Sequence, residues 1–210
     1  MKLTIFGATG ATGTQLVRQG LAAGHEVTVV VRDPARMAGQ RSPRLRVVVG
    51  DVMDAASITP DVAGADAVLS AIGPRGTGPT TVSQDSARAV STAMQEAGAR
   101  RLLTVSGSIV TDDGLDFLMK RVVFPLVRLR LRYVCEDMRK AEALVRASGL
   151  DWTIMRPPTL TDKPPRGRYR TAVDRNLPRG TTLSRADLGA LMIELIDDPG
   201  SLHHAICAAY

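Results

Sequence analysis

The sequence predicts an α/β fold: a doubly wound parallel sheet with helices on both faces. Two observations support this prediction. The chain begins with a short apolar strand that leads directly into Gly7, Gly10 and Gly13, and strands alternate with helices from there onwards. Repeated strand–helix units require crossovers that place helices on both faces of a parallel sheet. Because the 210 residues contain no internal repeat, low-complexity tract or linker, we expect one domain over residues 1–210.

The first strand and its glycine turn predict a binding site for a dinucleotide. Leu3 and Ile5 are typical of a buried parallel strand. Gly7 permits a tight turn, Gly10 lets the backbone approach a pyrophosphate, and Gly13 lets the next helix pack closely on the sheet. The N-terminus of that helix offers unpaired N–H groups to phosphates. The spacing differs from the commoner G-x-G-x-x-G, so a purely structural turn is the alternative.

The end of the second strand, residues 26–31, indicates which dinucleotide binds. Arg32 follows this strand at the distance where an NAD-binding protein places an acid on the ribose 2′-hydroxyl. A planar cation there suits the 2′-phosphate of NADPH. Asp33 is interpreted as a helix N-cap with Pro34 at the first helical position. In the alternative, Arg32 is a solvated charge and Asp33 binds the ribose.

The remaining elements follow from apolar runs and their glycine or proline boundaries. Further strands are predicted at 45–49, 67–72, 101–105, 152–155, 169–173 and 205–208, and helices at 14–23, 82–97, 134–147 and 184–196.

Ligands of open α/β sheets lie outside the carboxyl ends of the strands. The candidate site therefore consists of strand-end residues: Gly7, Thr9, Gly10, Ala11, Thr12, Gly13, Arg32, Asp51, Val52, Ile72, Gly73, Arg75, Ser106, Gly107, Ser108, Arg156 and Pro157. Asp51 has the chemistry to accept from an adenine amine, with Val52 against the ring; the alternative for Asp51 is a turn cap.

Composition narrows the class of protein. The net charge of +6 comes with only 3% aromatic residues and no basic cluster interleaved with them, which argues against a nucleic-acid partner. No apolar run approaches the ~20 residues of a membrane span, so no membrane partner is expected. Strand one lies at the N-terminus, where a signal peptide would be. Two widely spaced cysteines indicate neither a zinc site nor a disulfide framework. We therefore expect a cytoplasmic protein without a bound metal.

The densest basic stretch runs from Lys120 to Arg132. We interpret it as a solvated face whose long stems lie over apolar surface. A subunit contact or an acidic partner is the alternative. Together with the rest of the chain, this predicts a monomer or a weak homo-oligomer.

Several motifs resemble a known family over essentially the whole chain. They are Gly7-Ala-Thr-Gly10-Ala-Thr-Gly13, Val31-Arg32-Asp33, Gly50-Asp51-Val52, Pro79-Thr80-Thr81-Val82, Ser148-Gly149-Leu150 and Arg156-Pro157-Pro158. The sequence resembles the atypical short-chain dehydrogenase/reductases. It is most similar to the NADPH-dependent flavin reductase/biliverdin-IXβ reductase group and its NmrA-like relatives.

The resemblance implies a single Rossmann-like domain that binds NADPH. The pyrophosphate would lie on residues 9–14, the 2′-phosphate on Arg32, and the adenine on Asp51 and Val52. Arg75 would lie near the phosphates or the substrate mouth. Residues 106–108 and Pro157 would frame the nicotinamide. The substrate side would be built from residues 106–133 and 157–183.

Two departures from the family pattern matter. The usual Tyr-x-x-x-Lys pair is missing, because Asp137 stands four residues after Tyr133, and Lys140 follows seven residues after it. Aliphatic residues at 109 and 110 and Thr111 replace the bulky aromatics expected after the fifth strand, which removes part of a stacking platform. The family's site serine falls on Gly107, so either Ser106 or Ser108 would supply the hydroxyl.

These observations predict an NADPH-dependent reductase. Hydride would pass to a planar conjugated acceptor such as a flavin or quinone, with Ser106 or Ser108 donating a hydrogen bond to it. Arginines in loop 163–169 hint at an anionic acceptor. The alternative is a non-catalytic NADP(H)-binding redox sensor of the NmrA-like type.

Overall fold

The computed structural model describes residues 1–210 and contains a central sheet of eight strands. The strand order is β3-β2-β1-β4-β5-β6-β10-β8, and a separate two-stranded sheet pairs β7 with β9. All neighbours in the large sheet are parallel except β10 and β8. The first six strands thus have the 3-2-1-4-5-6 order of dinucleotide-binding sheets.

The strands are β1 (Lys2–Phe6), β2 (Glu26–Val31), β3 (Leu45–Val49), β4 (Ala67–Ser70), β5 (Arg101–Val105), β6 (Asp151–Met155), β7 (Thr159–Thr161), β8 (Arg170–Val173), β9 (Thr182–Ser184) and β10 (His204–Ala209). The helices are α1 (Ala11–Ala22), α2 (Ala55–Val62), α3 (Val82–Ala97), α4 (Phe124–Arg130), α5 (Arg132–Ala147) and α6 (Arg185–Glu194).

The predicted fold class is confirmed, with three differences in detail. The short strand predicted near residue 170 joins the sheet as an antiparallel edge, β8. Helix α2 was not predicted, and it contains Pro60. A π-helical turn (Met119–Val123) continues into α4, where no regular element was expected.

Two apolar cores lie on opposite faces of the sheet. The larger, of 21 buried residues, packs α1 and α6 against one face through side chains such as Leu16 and Leu188. The smaller, of 15 buried residues, packs α2, α3 and α5 against the other through side chains such as Ile58 and Met94. Burial on both faces explains why Leu3 and Ile5 on one side of β1 and Phe6 on the other are all apolar. The doubly wound architecture holds the carboxyl ends of the strands in one row.

A buried carboxylate, that of Asp187, joins the loop before β8 to helix α6. Asp187, in the first turn of α6, accepts from the backbone N–H groups of Arg166 and Gly167 at 2.9 and 3.0 Å. It also accepts from the hydroxyls of Ser184 and Tyr210. Burial pushes the pKa of Asp187 upwards, but these donors outweigh it and hold that pKa below its usual range. The Asp187 contacts keep the loop before β8 in place.

The segment from 117 to 130 exposes Lys120, Arg121 and Arg130, as expected for a solvated face, and Arg128 lies over the ring of Phe124. Its apolar side chains are exposed as well, including Leu126 and Leu129, which the sequence did not predict. No helix of the structure is long and apolar enough to cross a membrane.

Candidate functional site: a cofactor groove at the carboxyl ends of the strands

The glycine turn after β1 is packed so closely that two of its glycines leave no space for a side chain. A Cβ on Gly13 would lie 2.0 Å from the carbonyl oxygen of Gly7, and one on Gly7 would lie 2.7 Å from that of Ala71. Gly7 also has φ +79°, a conformation that side chains rarely adopt. The turn therefore brings α1 directly against the end of β1.

The N-terminus of α1 presents free donors to the groove. Its N-cap is Gly10, which has no side chain to cap the helix, and no acidic residue stands in the first turn. The amide of Gly10 donates to Gly7 and that of Thr14 donates to Gly10, so the amides of residues 11–13 have no backbone partner. Three free N–H groups at the positive end of a helix dipole make a cradle for a phosphate.

An open groove of about 360 Å³ lies over this turn, between β1 and β4, where the strand order reverses. Nine predicted residues line it: Gly7, Thr9, Gly10, Arg32, Asp51, Val52, Ile72, Gly73 and Arg75. The other lining residues, which were not among the predicted site residues, are Ala8, Val30, Val31, Gly50, Met53, Ala71 and Val82. Predicted residues outside this lining are Ala11, Thr12, Gly13, Ser106, Gly107, Ser108, Arg156 and Pro157.

Two arginines supply the positive charge of the groove. Arg32 and Arg75 are both exposed, and neither takes part in an ion pair of the chain. Asp33 accepts from the amide of Ala35 at 3.0 Å and so caps the short helical turn at 34–37, as predicted. Arg32 lines the groove and Asp33 does not, so Arg32 is the charged side chain of the β2 end that faces a ligand there.

Asp51 combines the two interpretations given to it. One of its carboxylate oxygens accepts from the amide of Met53 at 3.1 Å, which is the expected turn cap. Its side chain is nevertheless exposed and lines the groove beside Val52. The second oxygen is therefore open to a donor such as an amino group, and the turn cap fixes its direction.

The ends of β5 and β6 are joined by a buried cluster that the sequence analysis did not anticipate. Glu142 of α5 accepts from the Nε of Arg156 at 2.9 Å, from its Nη2, and from the Oγ of Ser106 at 2.8 Å. Arg156 is 8% exposed and Glu142 is 5% exposed. Burial lowers the pKa of the Arg156 guanidinium, but hydrogen bonding to Glu142 and its charge more than offset this and raise it. The guanidinium stays charged inside the protein.

This cluster bears on two predictions from the sequence. Arg156 was predicted to bind the cofactor, and the structure has its Nε and Nη2 donating to Glu142, with the residue outside the groove lining. Ser106 was one of two candidates for the hydroxyl at the substrate, but its own proton is committed to Glu142. One feature of the sequence could have indicated this cluster. Glu142 is an acidic residue on the buried stripe of α5, three residues before the buried Val145.

Ser108 is the hydroxyl that remains available. Its backbone N–H donates to the carbonyl of Pro157 at 3.0 Å, and its own carbonyl accepts from Asn176 at 3.0 Å. Asn176 is buried and also donates to the carbonyl of Thr111 at 2.6 Å. Asn176 was missed in the sequence because its partners are 65 and 68 residues away. These bonds fix the backbone of Ser108 and leave its half-buried side chain free.

The structure shows what replaces the tyrosine–lysine pair. Asp137 accepts from the amides of Ser83 and Gln84 at 2.9 Å each, which caps the N-terminus of α3. Tyr133 receives a hydrogen bond from Arg132, and Lys140 pairs with Glu136 on the surface. The position of the usual lysine therefore has a structural task, and the cation that contacts the Tyr133 hydroxyl is Arg132, its neighbour in the chain.

The residues of the groove fit a nicotinamide dinucleotide. Three amides without a backbone partner follow Gly10, glycines leave the backbone bare beside them, and Arg32 lines the groove at the end of β2. The lining contains both apolar and polar side chains, as expected for a flat base and its charged phosphates.

Comparison with known proteins agrees with this geometry. Residues 7–199 match the family described as NAD(P)H-binding. The oxidoreductase ptaF of Pestalotiopsis fici is 28% identical over 213 residues, which is 94% of this chain and 80% of that protein.

Solved structures show the same fold. A short-chain dehydrogenase/reductase of Veillonella parvula in complex with NADP superposes with a TM-score of 0.80 at 17% identity, over 100% of this chain and 94% of that one. ChuY, an anaerobillin reductase of Escherichia coli O157:H7, gives 0.81 at 21%, over 100% and 97%. The fold, the groove and the match over residues 7–199 lead to one assignment: the chain belongs to the NAD(P)H-binding family.

Proposed function

We propose that this protein is an NADPH-dependent reductase that transfers hydride to a planar conjugated acceptor such as a flavin or quinone. The observation that carries the proposal is the groove itself, with free helix amides at one end and an unpaired Arg32 at the end of β2. A 2′-phosphate would neutralise that arginine, whereas the 2′-hydroxyl of NADH would not.

The residues have separate tasks in this reaction. When bound, the nicotinamide would supply a hydride, whose two electrons would pass to the acceptor, and water would supply the accompanying proton. The amides of residues 11–13 and Arg32 fix the cofactor, so that its reactive face meets the acceptor at a set distance. Ser108 would donate a hydrogen bond to the acceptor as its negative charge develops. No side-chain acid is required, which is consistent with the missing tyrosine–lysine pair.

The substrate side is proposed to lie between residues 106–133 and 157–183. Asn176 ties these two segments together through the carbonyls of Ser108 and Thr111. We propose a small-molecule substrate, a cytoplasmic setting and no nucleic-acid partner. Cys135 and Cys207 are free thiols, which is consistent with a reducing compartment.

The first test is oxidation of NADPH, followed at 340 nm with FMN, FAD and a simple quinone as acceptors and with NADH as the control cofactor. Turnover that prefers NADPH would support the proposal. Tight binding of NADPH, seen by fluorescence, with no turnover on any acceptor would favour the second candidate, a non-catalytic NADP(H) sensor. The observation that favours that candidate is Asp137, which stands at the position of the usual lysine and caps α3.

The second test addresses Arg32 as the cofactor selector. Replacement of Arg32 by glutamine should raise KM for NADPH by about 10- to 100-fold, since a charge-assisted hydrogen bond contributes about 1.5–3 kcal/mol. KM for NADH should change little. Arg18→Gln, an exposed arginine on α1, is the matched control. An equal loss with both cofactors would remove Arg32 from this role.

The third test separates the two serines. Ser108→Ala should lower kcat/KM for the acceptor by about two- to tenfold without a change in NADPH affinity. Ser106→Ala should instead destabilise the protein, because it removes one donor from buried Glu142. If Ser106→Ala lowered turnover while Ser108→Ala did not, the assignment of the hydroxyl would be reversed.

A further inference from the structure

The segment from Phe117 to Arg132, which we call the basic–apolar segment, has an unusual composition for a protein surface. It contains Lys120, Arg121, Arg128, Arg130 and Arg132, and no acidic residue lies between Asp116 and Glu136. Its other positions are almost entirely aliphatic or aromatic. If this surface had no partner, these apolar side chains would be expected to lie in the interior of the protein.

The apolar side chains of this segment point outwards instead. Leu118, Val122, Leu126 and Leu129 are exposed by 65, 50, 65 and 68%. They are spaced by four, four and three residues along a helical stretch, which places them on one face. Phe124 is the only residue of α4 that is buried, and it anchors the opposite face to the protein. The segment is thus an amphipathic helix with its apolar stripe turned away from the core.

The stripe is bordered by positive charge that the protein does not neutralise. Arg121 and Arg130 are exposed and take part in no ion pair. Arg128 lies over the ring of Phe124, 5.6 Å from its centroid. Lys120 is the exception, because it pairs with Asp112. Arg121 and Arg130, which have no partner in the chain, therefore flank a row of exposed leucine and valine side chains.

This combination identifies the occupant by charge complementarity. A second copy of the chain packed stripe against stripe would bring the two rows of arginines together, which is unfavourable. An anionic lipid surface offers both partners at once, since its headgroups attract the arginines and its acyl boundary accepts leucine side chains.

We propose that the basic–apolar segment docks the protein on an anionic bilayer surface, with α4 lying in the plane of the membrane. Such a contact needs no spanning helix, and it replaces the expectation of no membrane partner drawn from the sequence. The inference does not depend on the proposed reductase activity, because it concerns a surface and not the groove.

The experiment is flotation of the full-length protein with vesicles of phosphatidylcholine alone or phosphatidylcholine mixed with phosphatidylglycerol. We expect binding to the mixed vesicles, little binding to neutral ones, and weakening as salt rises from 50 to about 500 mM through charge screening. No cofactor or acceptor is added, so failure of the reductase proposal would not affect the result.

Two pairs of variants locate the contact. Leu126→Glu/Leu129→Glu should weaken binding to the mixed vesicles at least tenfold. Arg121→Gln/Arg130→Gln should weaken it about 30-fold, given about 1 kcal/mol for each arginine at an anionic surface. The control Arg18→Gln/Arg41→Gln removes the same charge from exposed positions elsewhere and should change binding less than threefold. The arginine variants keep the apolar stripe, so they test the proposal even if the leucine variant folds poorly.

Three results would overturn the proposal. One is the absence of binding to the mixed vesicles at low salt. Another is an equal loss in the control variant, which would show attraction by net charge alone. The third is a complex with a protein that Leu126→Glu/Leu129→Glu abolishes in light scattering. A concentration-dependent dimer of the protein alone would assign the stripe to a second copy. A complex formed only with an added acidic protein would assign it to a protein partner.

Discussion

The buried pair of Glu142 and Arg156 makes a quantitative prediction about stability. Arg156 is only 8% exposed. In Glu142→Leu its guanidinium would stay buried but would lose the Glu142 carboxylate that accepts its hydrogen bonds. An uncompensated buried charge of this kind costs about 3–5 kcal/mol. At about 2–4 °C per kcal/mol for a chain of this size, the midpoint of thermal unfolding should fall by about 6–20 °C.

The other variants complete a double-mutant cycle. Arg156→Met should be milder, because Glu142 would keep its bond from Ser106 and a second arginine, Arg146, at 3.8 Å. In the double variant Glu142→Leu/Arg156→Met no charge remains, and its stability should lie within about 1 kcal/mol of the parent protein. The coupling energy between the two positions should therefore exceed about 3 kcal/mol.

The assay is urea unfolding of the four proteins, followed by circular dichroism, together with NADPH titration of each folded variant. Losses that simply add in the double variant would refute the reasoning, because they would show that the two side chains stabilise the fold independently. An Arg156→Met protein of normal stability but weakened NADPH affinity would restore Arg156 as a cofactor ligand.

Two further predictions concern the turn and the loop anchor. Gly13→Ala should destabilise the protein by about 2 kcal/mol, because its Cβ would meet the Gly7 carbonyl at 2.0 Å while the gain in helix propensity is only about 1 kcal/mol. Gly39→Ala, with no atom within 4 Å of its Cβ, should change stability by less than about 0.5 kcal/mol in the same thermal scans; similar losses in both would contradict the close packing. Asp187→Asn should destabilise by about 1–3 kcal/mol at pH 7. Because the folded pKa of Asp187 is lowered, its contribution is present above the pKa of an unfolded carboxyl and is lost as pH falls through the folded value. Urea unfolding at pH 7, 5 and 3.5 should show the gap to the parent narrowing only below about pH 4, and a gap that does not depend on pH would exclude the ionised form as its source.

Much of the fold could be predicted because local pattern and tertiary role agree. Helix α3 has the predicted bounds, since its apolar stripe ends at Gly98, whose φ of +73° closes the helix. Helix α2 was missed because Pro60 in its last turns is normally a sign that no helix is present. The helical stretch before α5 was missed because its apolar residues face outwards, so no core contact accompanies their spacing.

The candidate site was predictable where it consists of backbone groups and residues that directly follow strand ends. The glycine turn and Arg32 follow strand ends, and strand ends can be read from the sequence. Glu142 lies 14 residues from Arg156 and 36 from Ser106, and Asp137 lies 54 from Ser83. Such partners are set by how helices cross the sheet, and one sequence carries no record of those crossings.

The placement of the two apolar cores has a consequence for how such a protein changes over generations. No residue between 106 and 133 belongs to either large core, whereas the strands beside the glycine turn contribute to both. Substitutions in the first region therefore remove little buried surface, so most of them fall within the small changes in stability that a fold tolerates. Under the proposed function, selection could explore new acceptors there while the cofactor half is held nearly constant by its packing. The same proposal would make residues 106–133 the region to randomise in a library for altered substrate preference.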